Sequence, residues 1–345
     1  MIFVYIIGTA VKVFDNYDLS SSNTFRMRVS CARYIEYETV EELQSIDFDS
    51  LPGPVLHIGG GSNLLFRGDF PGTILHSGIS YIKYVDVGLG RVMVMVGAGV
   101  TFDDFAEQTC AHGLWGAENL SLIPGEVGAA AVQNIGAYGT EAGDIISGVV
   151  CYDLHSRRKV KFTVGECCYG YRDSFFKRPE NKGRYIVTGV LFRLSRKYNP
   201  RLGYKGLREA LASEGILTPM KVREAVIRIR REKLPDPEQT GSAGSFFKNP
   251  VVSRDVFERI SPDGSAPHYD LPGGMVKIPA AWLIEQCGLR GAKEGGAAVY
   301  ERQPLVIINA SGQAVPEDVT ALEDRVVRMV REKFAVELHP EVEHV

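Results

Sequence analysis

Gly59-Gly-Gly-Ser-Asn63 follows the short apolar run Val55-Leu-His-Ile58. Three consecutive glycines let neighbouring backbone N–H groups converge on an anion, and Ser62 and Asn63 add side-chain donors. A pyrophosphate cradle is one outcome; a plain turn is the other. The spacing is not G-x-G-x-x-G and no clear helix follows, which excludes the dinucleotide fingerprint of doubly wound folds. A second cluster runs from Ile123-Pro-Gly125 to Asn134-Ile-Gly-Ala-Tyr-Gly139. Small residues at 125 and 128–131 permit close approach of a flat or bulky ligand, and Gln133 and Asn134 offer amides able to read a ring edge. A tightly packed small-residue helix would use the same composition. Two phosphate-type loops without that fingerprint favour a dinucleotide cofactor over two coincidental turns.

Three further residues have chemistry in reach. Arg172 lies between aromatics in Tyr171-Arg-Asp-Ser-Phe-Phe-Lys177 and can bind a carboxylate bidentately, unless it merely pairs with Asp173 at the surface. Ser245 lies in Gly241-Ser-Ala-Gly-Ser-Phe-Phe-Lys-Asn-Pro250. G-x-S-x-G is absent, so a nucleophile elbow is excluded, but a hydroxyl with a charged neighbour can donate a proton. Glu341, in His339-Pro-Glu-Val342, lies four residues before Val345, where fraying and simple solvation are the default for a terminus.

These residues need elements to position them. Val55–Ile58 and Arg91–Val96 read as strands. Thr101 reads as the N-cap of a helix running to about Cys110, with Asp103 and Asp104 in its first turn and Gly113 ending it. Residues 147–196 are strand-rich, at Gly148–Tyr152, Lys159–Val164 and Arg184–Phe192. Lys221–Lys233 is helical by period, with Val222, Val226 and Ile229 on one face. Leu234-Pro-Asp-Pro237 stops it and marks a domain boundary. A last domain carries a helix near Ala280–Cys287, a strand at Pro304–Ile308 and an amphipathic helix over about Pro316–Lys333, whose period falls on Val319, Leu322, Val326, Met329 and Val330.

Composition narrows the class. The chain has 345 residues, 45% hydrophobic and 23% charged, which excludes a disordered chain and allows roughly two to three domains. A net charge of −3 argues against a nucleic-acid binder. The six cysteines form no C-x-x-C and read as reduced cytoplasmic thiols, and the histidines show no metal-ligand spacing. No run approaches the ~20 apolar residues of a membrane span. The apolar start Met1–Ile7 reads as a first strand or an over-long translation start rather than a secretory signal.

Together the segments Asn23-Thr-Phe25, Gly59–Leu65, Ile123–Gly139, Gly170–Ser174, Lys233–Pro237, Gly244–Pro250, Ala281–Cys287, Gly295–Val299 and Pro340–Val342 resemble the UDP-N-acetylenolpyruvoylglucosamine reductases, in family order over about residues 20–342. The resemblance implies an α+β fold. A vanillyl-alcohol-oxidase (PCMH)-type FAD-binding domain in two subdomains, 17–80 and 81–233, is followed by a C-terminal α+β substrate-binding domain, 234–345. Residues 1–16 are an extension of unassigned role. It also implies FAD as cofactor, NADPH as co-substrate, and reduction of UDP-N-acetylglucosamine enolpyruvate to UDP-N-acetylmuramate for peptidoglycan. A cytoplasmic monomer is expected, with no metal, nucleic-acid or membrane partner.

By the same resemblance, Ser245 is the proton donor, with Arg172 and Glu341 as its catalytic partners. The implied FAD contacts are Gly59, Gly60, Gly61, Ser62, Asn63, Leu64, Pro124, Gly125, Gln133, Asn134, Gly136, Ala137, Gly139 and Arg230. The implied sugar-nucleotide contacts are Tyr138, Lys233, Asn249, Tyr269, Arg290 and Gln303. Tyr204, in Leu202-Gly-Tyr-Lys-Gly206, resembles the tyrosine of a lid-like loop found in one subclass. Two departures stand out: Ala129 replaces a frequent glycine, and Glu343 replaces a frequent basic residue. Two other classes compete: an alcohol or sugar oxidoreductase on the same flavin fold, and a non-catalytic sugar-nucleotide binder.

Overall fold

The structure is a computed structural model and describes residues 2–3 and 11–345. Most of the apolar start lies outside the described residues. The chain divides into two compact units. The first gathers the chain up to Tyr17 with Cys31–Gly61 and Phe70–Glu232; the second gathers Asp18–Ser30, Ser62–Asp69 and Lys233–Val345.

The first unit is built on two five-stranded sheets. One has the order Ile2–Phe3, Lys12–Asp18, Ser30–Tyr37, Phe70–Ser77, Val55–Ile58, with the last three strands parallel. The other is antiparallel: Arg158–Thr163, Ile146–Asp153, Tyr185–Ser195, Arg91–Gly97, Ile82–Asp86. Alternation sets which face is buried. Val92, Val94 and Val96 point into the core while Arg91 and Met95 face out, the period of two that a pleated strand imposes.

Helix Phe102–Ala111 closes over that face. Thr101 caps it by accepting from the Asp104 N–H at 3.2 Å, and the chain leaves through Gly113 at φ +69°. Phe102, Phe105 and Ala106 are fully buried. Helix Pro219–Lys233 buries Val222, Val226 and Ile229 against Trp115, Leu207, Leu211 and Leu217.

The second unit carries a four-stranded antiparallel sheet, Gly241–Ser245, Val306–Asn309, Ala297–Val299 and Lys293–Glu294, and a three-stranded one, Val251–Ser253, Met275–Lys277 and Tyr269–Leu271. Helix Pro316–Phe334 lays Val319, Leu322, Val326 and Val330 on its buried face, and Met329 falls at the margin of that stripe, part-exposed. The Asn23-Thr-Phe25 segment braces the first strand. Asn23 is buried and bonds Leu19 O at 2.8 Å and Met27 O at 3.1 Å while accepting from Met27 N at 2.9 Å. That turn seats Thr24 O on the Ser242 N–H at 2.9 Å. A Cβ at Gly241 would lie 2.3 Å from Phe25 O, so no larger residue fits there. Among the described residues no helix is long and apolar enough to cross a membrane, and no group of metal-ligating side chains forms.

Candidate active site

In the first unit the two glycine clusters meet. Val55–Ile58 delivers Gly59 and Gly60 against Gly125, Glu126 and Ala129. A Cβ at Gly59 would lie 3.0 Å from the Ala129 Cβ and 3.3 Å from a Glu126 carboxylate oxygen, and one at Gly60 would lie 3.6 Å from the Gly125 Cα. Ala129 is accommodated because Gly59 has no side chain. Gly61 at φ +62° and Gly125 at φ +107° hold left-handed backbone that glycine adopts without strain. The result is a surface of bare backbone from two loops, with exposed Pro124 beside it. That chemistry fits the pyrophosphate of a dinucleotide. Helix Val127–Gln133 follows, so the small residues both pack as a helix and let the loops approach.

Of the two amides behind this surface, Asn134 turns inward. Asn134 is fully buried. Its Nδ2 donates to Glu141 Oε2 and Gly170 O, and its Oδ1 accepts from Gly143 N, each at 2.8 Å. Its side chain is consumed in closing the loop and reads no ring edge. Gln133 accepts from Lys177 Nζ at 3.0 Å, and the same ammonium bonds Arg172 O at 3.0 Å.

Arg172 is thereby tied to the second cluster. Its guanidinium donates to Gly136 O at 2.8 Å. A Cβ on Gly136 would lie 3.0 Å from Arg172 Nη1, so glycine is what admits the fork. Gly136-Ala137 pairs with Thr140-Glu141 across a two-residue turn. Both turn residues, Tyr138 at +49° and Gly139 at +78°, have positive φ, and Asn134 and Arg172 share that sign. Non-glycine residues in this conformation are uncommon and collect at functional sites.

Tyr138 is brought to Tyr204 and Arg230. The two phenol rings meet edge to face, centroids 5.1 Å apart. Arg230 donates through Nε to Leu122 O at 3.1 Å and lies near enough to Tyr138 for the two to interact electrostatically. Burial lowers the guanidinium's pKa and raises the phenol's. Asn119 is a residue that sequence reading missed. Its Nδ2 donates to Tyr138 O at 2.9 Å and Arg201 O at 2.8 Å, pinning the strained turn and the segment leading to Tyr204 with one amide. Its signal was slight: an asparagine just before the second glycine cluster.

In the second unit, Ser245 ends strand Gly241–Ser245, half-buried, after Gly244 at φ +70°. Glu341 lies beside that strand's continuation, its N–H donating to Phe246 O at 2.8 Å. Lys248 N donates to His339 O at 2.9 Å. Asn63 Nδ2 donates to Glu341 O at 3.0 Å. Leu64-Leu65 pairs in parallel with Glu343-His344, Val345 N donates to Leu65 O, and Val345 O accepts from Arg67 N, both at 2.9 Å. The terminus, which the sequence left open between frayed and ordered, is held by these bonds. The last residues form a strand, and Ser62 to Leu64, Ser245 and Glu341 share one unit.

The remaining candidates all belong to the second unit. Asn249 Oδ1 accepts from Ala280 N at 2.9 Å, starting helix Ala280–Gln286. Tyr269 is half exposed on the edge strand, with Lys277 Nζ 5.4 Å from its ring centroid. Arg290 donates to Glu301 O at 2.9 Å and pairs with Glu285. Gln303 O receives Val306 N at 2.9 Å. Lys233 is the last residue of its helix.

Comparison with known proteins adds to this geometry. Residues 236–345 match the C-terminal domain of UDP-N-acetylenolpyruvoylglucosamine reductase, and residues 32–154 match an FAD binding domain. A UDP-N-acetylenolpyruvoylglucosamine reductase from Bacteroides fragilis is 48% identical over 333 residues, 96% of this chain and 99% of that protein. One from Chromobacterium violaceum is 43% identical over 94% of this chain and 96% of its own length. The crystal structure of the reductase of that name from Thermus caldophilus matches with TM-score 0.67 and 26% identity, covering 97% of this chain and 98% of that one.

Proposed function

The chain belongs to the UDP-N-acetylenolpyruvoylglucosamine reductase family, and from that premise we propose that it reduces UDP-N-acetylglucosamine enolpyruvate to UDP-N-acetylmuramate with FAD. NADPH is the hydride source, and the protein acts as a cytoplasmic monomer in peptidoglycan precursor synthesis. Residues 17–80 and 81–233 hold the cofactor and 234–345 the substrate. Gly59–Leu64, the Pro124–Gly139 segment and Arg230 are the residues that would hold FAD. The chemistry FAD supplies when bound is hydride transfer from NADPH to C3 of the enolpyruvyl group.

Hydride arrival at C3 leaves negative charge on C2 and the adjoining carboxylate. Arg172 offers a fixed fork of donors for that charge, and a pre-organised donor stabilises developing charge without reorganising. Ser245 gives its hydroxyl proton to C2 and recovers one from solvent. Glu341 is the charged neighbour that lets a normally tight serine proton move. Tyr138, Tyr204, Lys233, Asn249, Tyr269, Arg290 and Gln303 orient the sugar nucleotide. The Tyr204 segment excludes water when it closes.

The observation that carries this reading is the bond between Glu341 N and Phe246 O at 2.8 Å, which draws the glutamate alongside the serine's own strand. The test is an anaerobic visible spectrum of the purified protein. NADPH should bleach the flavin bands, and UDP-N-acetylglucosamine enolpyruvate should restore them. Bleaching without return would point to another acceptor of the same flavin fold. A protein that could not be loaded with FAD would leave a sugar-nucleotide binder.

A further inference from the structure

Beneath the Gly59–Gly60 backbone runs a chain of charged groups that the proposed mechanism does not use. Glu126 presses its carboxylate on this backbone. One oxygen lies 3.3 Å from where a Gly59 Cβ would stand, and the other 3.8 Å from that of Gly60. Glu126 Oε1 is bonded to His76 Nε2 at 2.7 Å, and the other ring nitrogen of His76 faces Glu36 Oε2 at 3.3 Å. Glu36 is bonded in turn to Lys12 Nζ at 2.7 Å, an ammonium shared with Glu38 at 2.6 Å. Among the described residues, His76 is the sole hydrogen-bonding partner of the Glu126 side chain.

A carboxylate is an odd neighbour for a loop shaped to hold a pyrophosphate. Like charges at such range repel, and a part-buried setting screens them poorly. An imidazolium on the far side of that carboxylate cancels its charge; a neutral imidazole does not.

We propose that His76 is a positioning residue for the cofactor: it holds Glu126 against the Gly59–Gly60 loop and, when protonated, offsets its charge, so that retention of the FAD pyrophosphate depends on the His76 proton. This rests on the reading of that loop as the flavin's phosphate site.

The groups facing His76 set where the switch falls. Lys12 comes from strand Lys12–Asp18, Tyr34 and Glu36 from Ser30–Tyr37, His57 from Val55–Ile58, and Glu126 from the start of helix Val127–Gln133. Burial lowers the His76 pKa, but bonds to Glu126 and Glu36 outweigh it and the net shift is upward. Tyr34 stays neutral, its pKa raised by burial, and His57 stays neutral across this range because burial pushes its pKa down to about 3. The offset is therefore complete below the ordinary histidine pKa and is lost as pH rises through the raised value.

The test follows flavin fluorescence as the holoprotein releases FAD after dilution, from about pH 6 to about pH 9. Release from the wild type should quicken by about fivefold or more across that range. His76→Gln should release quickly throughout, and Glu126→Gln slowly throughout. The double variant should behave like Glu126→Gln, because the offending charge is gone. A His76→Gln variant that keeps the wild-type profile would overturn the inference, as would pH-independent release from the wild type. If His76→Gln does not fold, the Glu126→Gln profile decides alone: a slope as steep as the wild type's would overturn it. A purely structural bond would lower thermal stability in both variants and leave the release profile unmoved. Flavin bound with a flat profile sinks this inference only, whereas a protein that takes up no flavin sinks the functional reading as well.

Discussion

The side-chain amide of Asn63 donates to the backbone carbonyl of Glu341 at 3.0 Å, across 278 residues of sequence. A residue of the glycine-rich loop thus fixes the height of the residue assigned as the serine's charged partner. Glu343 N returns the bond to Asn63 O at 2.9 Å. Replacing Asn63 with Ala leaves a part-buried carbonyl without this donor, at a cost of about 1–2 kcal/mol. The expected outcome is a lower denaturation midpoint with faster hydrogen exchange at Glu343 and Val345. Unchanged exchange at those amides would mean the amide does not hold the terminus.

Arg172 to Lys keeps the charge and discards the fork. Arg172 reaches Gly136 O through Nη2 at 2.8 Å, and a lysine has no second nitrogen to present to substrate at the same time. Turnover should fall by about a hundredfold or more, on the scale of lost transition-state donors, while thermal stability moves little. Near-wild-type kcat would remove the guanidinium from the mechanism.

Asn134 to Ala removes three hydrogen bonds from a fully buried side chain and puts alanine at φ +45°. Destabilisation of about 3 kcal/mol or more is expected in urea unfolding. Loss of flavin with unaltered stability would return Asn134 to the ligand-reading role its residue type suggested.

The same residue shows what a sequence reading can and cannot reach. Local patterns were legible: the apolar strand Arg91–Val96, the Thr101 cap, the helical stripe of Val222, Val226 and Ile229, and the proline stop after Lys233. Each depends on neighbours a few positions apart. The two glycine loops were legible as places of close backbone approach because glycine has few other reasons to cluster. Whether Asn134 faces ligand or core was not, since its partners Glu141, Gly143 and Gly170 are chosen by tertiary closure. The pairing of Glu126 with His76 spans 50 residues, and no motif signals it. Nor did the last residues betray a strand: Glu343 and His344 have weak strand preference and are held by backbone pairing to Leu64 and Leu65.

Acid should weaken the first unit through two carboxylates. Arg184 grips Asp153 with two bonds of 3.0 Å and holds its pKa below the ordinary value. Burial would raise that of Asp103, but Arg223 and the Leu122 N–H win and lower it. A depressed native pKa gives stability that is intact above the unfolded value, near 4, and is lost as pH falls through the native one. The contribution of these two carboxylates to the unfolding midpoint should be flat near neutrality and drop below about pH 4. Asp153→Asn should be less stable at neutral pH and show a shallower drop. An equal slope in the variant would contradict the assignment.

The most direct measurement follows the two half-reactions separately by rapid mixing in Ser245→Ala. With Ser245 as the proton donor to C2, flavin reduction by NADPH should stay near the wild-type rate, and reoxidation by UDP-N-acetylglucosamine enolpyruvate should be all but abolished. Equal slowing of both steps, or reoxidation at the wild-type rate, would contradict that role.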